Sequence, residues 1–64
     1  MHYPVKLTSI TFHANYAEVD FNGLRETASP AAATAMVPLI GKRVVPTYRS
    51  SGAFQRMLVK VEVA

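Results

Sequence analysis

The chain has 64 residues, half of them hydrophobic, 17% charged and none cysteine, with a formal net charge of +3. That is the composition of a globular chain rather than a disordered one, and its length allows one small domain, residues 1–64. Disulfides and thiolate metal sites are excluded, and the two histidines, His2 and His13, are too few for a closed zinc site.

The first segment, residues 5–13, is rich in strand formers but changes phase. Val5 and Leu7 share one alternation and Ile10 and Phe12 the other, which predicts a β-bulge near Thr8-Ser9. Residues 16–21 then alternate cleanly. Ala17, Val19 and Phe21 face one way, and Tyr16, Glu18 and Asp20 the other, as in a half-buried antiparallel strand. Asn22-Gly23 reads as a type I′ hairpin turn, whose two central residues both need positive φ. The register it sets pairs Phe21 with Leu24 on a buried side and Asp20 with Arg25 on a wet one. The strand after it, from Leu24 to Thr27, is short.

Ser29-Pro30 marks a helix start, serine as the cap and proline where its missing N–H is harmless. The stretch AAATAM supplies helix formers. Pro38 ends the regular helix near Met36 or Val37, because its ring disfavours helix in the residue before it. Gly41 marks the exit. The last third forms a hairpin about Ser51-Gly52, with Arg49 expected opposite Phe54. In that register Val44, Pro46, Tyr48, Gln55, Met57, Val59 and Val61 share one face. Arg43, Val45, Thr47, Arg49, Phe54, Arg56, Leu58 and Lys60 share the other. Pro46 cannot donate to a ladder, so its strand is expected to be an edge or bulged there.

The expected architecture is a small α+β domain of order β-β-(β)-α-β-β: an antiparallel sheet or small barrel with one short helix near residues 30–37. Five strands with a helix between the third and fourth is also the element order of an OB-type barrel. A domain this small buries only about 60% of its unfolded surface. Without disulfides or metal, self-association is the remaining stabiliser, so a homodimer or higher oligomer is expected.

Charge is unevenly placed. Residues 1–32 balance to −1, and residues 33–64 to +4. On the hairpin, Arg43, Arg49, Arg56 and Lys60 are interleaved with Phe54, the pattern of a surface on which guanidinium groups hold phosphates and a ring stacks on a base. Tyr48 is a second candidate ring. The same residues also fit a protein interface with an arginine rim, and a solvated sheet face on which Arg49 covers Phe54. The expected activity is therefore binding without catalysis. The partner is nucleic acid, met through its backbone by Arg43, Arg49, Phe54, Arg56 and Lys60, or else another protein for which the chain is an interaction module or inhibitor.

The remaining candidates are weaker. Glu18 and Asp20 point the same way, and with Glu26 could hold a hard cation, though the wet face of an amphipathic strand explains them as well. No catalytic or metal residue is assigned, and no cofactor is expected. No G-x-S-x-G elbow or P-loop is present, and so short a chain has little room for an enclosed pocket. No apolar run reaches the roughly 18 residues of a membrane helix. MHYPVKLT has neither the basic nor the apolar region of a signal peptide, so a full-length cytoplasmic protein without membrane partners is expected.

Overall fold

Alternation along the chain produces strands, and punctuation residues end them. The computed structural model describes residues 4–51 and 55–64. The strands are β1 (Val5–Lys6), β2 (Ser9–Phe12), β3 (Ala17–Phe21), β4 (Leu24–Ala28), β5 (Arg43–Ser51) and β6 (Gln55–Val63). Between β4 and β5 lie one helix, α1 (Pro30–Met36), and a 3₁₀ turn over Val37–Leu39. All six strands belong to one sheet in the order β1-β5-β6-β4-β3-β2, not closed into a barrel. The Cα radius of gyration is 10.9 Å, against about 10.7 Å for a compact chain of this length. No helix among the described residues is long and apolar enough to cross a membrane.

The expected antiparallel sheet is in fact mixed. β2, β3 and β4 form an antiparallel meander, but β6 runs parallel to β4, with Ala28 opposite Leu58. Parallel neighbours need a long crossover, and α1 with β5 supplies it. The phase change in the first segment appears as a break. Leu7 donates its N–H to Lys42 O at 3.0 Å, on the β5 side, and Thr8 donates to Asp20 O at 2.8 Å, on the β3 side. The two halves of this segment therefore lie on opposite edges of the sheet.

The local chemistry of the turns is as read. Asn22 and Gly23 have φ of 55° and 103°, and Gly23 N–H donates to Asp20 Oδ1 at 2.8 Å. Phe21 pairs with Leu24 and Asp20 with Arg25, although Leu24 is exposed rather than buried. Ser29 caps α1 by accepting from Ala32 N–H at 3.2 Å, with Pro30 in the first turn. Gly41, at φ 92°, turns the chain into β5. Among the described residues Pro46 pairs on one side only, with Val61 of β6.

One face of the sheet carries Ala17, Val19, Phe21, Ala28, Val44 and Leu58, and α1 covers it with Ala33 and Met36; with Leu7 these are the core. Burying a side chain such as Leu58 or Met36 stabilises by about 1.5–3 kcal/mol. The other face, which we call outer, holds the alternate residues of every strand.

The C-terminal hairpin differs from its expected register. Arg49 pairs with Met57 and Ser50 with Arg56, and between Thr47 and Tyr48 the register shifts: Thr47 pairs with Lys60 and Tyr48 with Leu58, leaving Val59 extra. The cause is the core. Leu58 is 1% exposed, and a bulge at Val59 lets Leu58 point inward while Lys60 points outward. In the expected sorting Leu58 and Lys60 shared a face.

Candidate nucleic-acid interface

The outer face is built from the register. Lys6 stands directly opposite Arg43. Along β5 the same face continues through Val45, Thr47 and Arg49, and β6 adds Met57, Lys60 and Glu62 as their cross-strand partners. Lys6, Arg43, Arg49 and Lys60 are all exposed. Glu62 is the acidic residue of this half of the face, and its carboxylate meets Lys60 Nζ at 3.1 Å. Six residues of strand separate Arg43 from Arg49, which is about 20 Å at 3.3 Å per residue. Around Lys6 and Arg43 lies a concavity of about 400 Å³, also lined by Pro4, Val5, Phe21 and Asn22.

Of the five residues expected to form the site, the fold gathers Arg43, Arg49 and Lys60. Phe54 lies outside the described residues, as does His2. Arg56 is on the core face, which corrects its expected place beside Arg49. Its Nη2 donates to Glu26 Oε2 at 3.0 Å, and its guanidinium carbon lies 4.3 Å from the centre of the Tyr48 ring. Tyr48 Oη donates to the same Glu26 oxygen at 3.2 Å. Burial, together with the charge of Glu26 and this hydrogen bond, raises the Tyr48 pKa above its ordinary value of 10, against an opposing pull from Arg56. Tyr48 and Arg56 thus join β4, β5 and β6 in an internal contact on the core face, away from Arg43, Arg49 and Lys60.

Lys6 is the residue that sequence reasoning missed. Its placement depends on pairing between opposite ends of the chain, and the pattern around residue 6 carries no sign of it.

The far side of the outer face carries two carboxylates and one guanidinium. Glu18 and Asp20 share a shallow hollow of about 220 Å³ with Ser9, Thr11 and Arg25. Glu26 is opposite Val19 and on the core face, so it does not join Glu18 and Asp20 in a carboxylate trio. Among the described residues no group of three His, Asp or Glu could hold a metal. At the end of β2, His13 Nε2 meets Glu18 Oε1 at 2.7 Å, and the His13 ring stacks on Tyr16 with centroids 4.5 Å apart.

No protein-family model matches the chain, and no curated protein sequence or solved structure is significantly similar to it.

Proposed function

We propose that this chain is a non-catalytic protein that binds nucleic acid by its phosphate backbone, through the outer face of β1, β5 and β6. The observation that carries this reading is the like-charged pair Lys6–Arg43, in line with Arg49 and Lys60 on one exposed face. Like charges directly opposite in a sheet are destabilising. An anion between them turns that repulsion into two attractions, and arginine holds phosphate bidentately. A stripe of about 20 Å spans roughly six phosphates along one strand of a duplex at 3.4 Å each.

Element order supports the same reading. Three antiparallel strands, a helix and a hairpin whose second strand runs parallel to the third follow the connection order of OB-type barrels, which are partly open and bind oligonucleotides.

The test is fluorescence anisotropy of a labelled 20-nucleotide single strand at 50 and 200 mM salt. Four phosphate contacts give a log–log slope of about −2.8, or a loss of about 50-fold over this range. Arg49→Ala should flatten the slope by about 0.7. Absence of binding at 50 mM salt would overturn the proposal.

A second reading, an interaction module that pairs with its own copy, is favoured by one observation. On the outer face the cations Lys6, Arg43, Arg49 and Lys60 lie on β1, β5 and β6, with Glu62 among them, while Glu18 and Asp20 lie on β3 with Arg25 opposite Asp20. Thr27 and Met57, on the adjacent strands β4 and β6, lie between. A two-fold axis near β4 and β6 would set the basic half of one copy against Glu18 and Asp20 of the other. Sedimentation analysis would show a dimer that dissociates in high salt; a monomer at all salt concentrations would sink this reading.

A further inference from the structure

We infer that the ligand is single-stranded, and that the apolar groove beside Arg49 receives one of its unpaired bases. The inference rests on the proposed phosphate-binding face and adds a specific class of ligand to it.

The groove follows from the sheet topology. β4 ends at Ala28, which is paired with Leu58. Beyond that point β6 continues while the chain leaves β4 through Ser29 into α1, and the extra residue Val59 disturbs the ladder at the same level. What remains between the first turn of α1 and the β5–β6 hairpin is an open groove of about 320 Å³, lined by Ser29, Ala32, Arg49, Met57, Leu58 and Val59. Four of these side chains are apolar. The polar ones, Ser29 and Arg49, stand where the chemistry can use them. Arg49 belongs to the basic face, so anything bound there by its phosphates passes the groove mouth. Its planar guanidinium can hold a phosphate or lie against a base. The Ser29 hydroxyl accepts from Ala32 N–H, and its own hydrogen can still donate to an acceptor on a base edge.

Charge complementarity therefore selects a polyanion, and the groove selects one that can present a flat apolar group next to its phosphates. A duplex keeps its bases paired and stacked inside, out of reach of the groove. A single strand can splay a base outward, which is how unpaired strands are commonly read. An acidic protein would satisfy Arg49 but has no reason to favour the groove in step with its charge.

The experiment compares three labelled 20-mers by anisotropy at 50 mM salt: oligothymidylate, an abasic strand of equal phosphate number, and a duplex. Base contacts should favour oligothymidylate over the abasic strand by at least about 5-fold. Ala32→Leu, which fills the groove, and Met57→Ala, which removes part of its wall, should each bring that ratio towards one. Both should leave the salt slope unchanged, with far-UV circular dichroism confirming the fold. Equal affinity of the wild-type protein for oligothymidylate and the abasic strand, or tighter binding of the duplex, would overturn the inference while the phosphate-binding face stands. Failure of all three to bind would remove both.

Discussion

Replacing Lys6 by glutamine should make the protein more stable and a poorer ligand for polyanions. Lys6 and Arg43 are directly opposite on adjacent strands and both exposed. Two like charges about 6 Å apart in water repel by about 0.7 kcal/mol, within the roughly 0.2–1 kcal/mol typical of cross-strand pairs. β1 has two residues and lies at a sheet edge, so the lysine can swing partly away, and a gain of about 0.3–0.7 kcal/mol is expected. For a domain of this size that raises Tm by about 2–5 °C. The melt is followed by far-UV circular dichroism at 20 and 500 mM salt, with Lys6→Arg as the control that keeps the charge. Screening at the higher salt should erase most of the gain, because the Debye length falls to about 4 Å. The same variant should flatten the salt slope for a single strand by about 0.7. A lowered Tm at 20 mM salt, or a gain equal at both salts, would refute the assignment of a repulsive pair.

Three further outcomes test the packing. Leu58→Ala, at a site 1% exposed, should cost about 2–5 kcal/mol in urea denaturation, a large part of the roughly 3–10 kcal/mol available to a chain this long; a loss under about 1 kcal/mol would mean that Leu58 does not face the core. Because the folded pKa of Tyr48 is raised above 10, the folded state holds a proton that the unfolded chain has lost. Stability should be unaffected by this group below pH 10 and should fall as pH rises above it, by at most about 1.4 kcal/mol per unit. Tyr48→Phe should flatten that fall, and an unchanged alkaline profile would argue against the part-buried Tyr48 hydroxyl bonded to Glu26. A double-mutant cycle on Glu26→Gln and Arg56→Gln should give a coupling of about 0.5–1.5 kcal/mol, since one partner is half exposed; no coupling would put β4 and β6 in another register.

What was legible in the sequence was local. Asn22-Gly23, Ser29-Pro30 and Gly41 each carry a backbone requirement in their own chemistry, and the structure places each as read. The alternation of Ala17, Val19 and Phe21 against Glu18 and Asp20 likewise fixed β3 and its faces. The phase change between Leu7 and Ile10 announced an irregularity because apolar residues lay on both sides of it. The irregularity at Val59 gave no such sign. Met57 and Val59 are apolar, as is Leu58, so alternation allows either face, and only the core chooses Leu58. That choice moved Arg56 off the expected site, while Lys60 stayed on it. The pairings that complete the basic face, Lys6 with Arg43 and β4 with β6, join distant parts of the chain. They depend on topology, which local pattern does not encode.

The segment from Val5 to Phe12 touches both margins of the sheet, through β1 on β5 and β2 on β3, with Leu7 and Thr8 as the link. Parts of a fold can open locally at less cost than global unfolding. Here the two margins are tethered, so loosening either strains the other, and the amides of Leu7, Thr8 and Gly41 should exchange with solvent in a single event. The tether also orders events during synthesis. The β2–β3–β4 meander can form as soon as it is made, but β1 must wait for β5, on the far side of the helix. β1 is therefore made before β5 but seated only after it, and the cationic face exists only once that has happened.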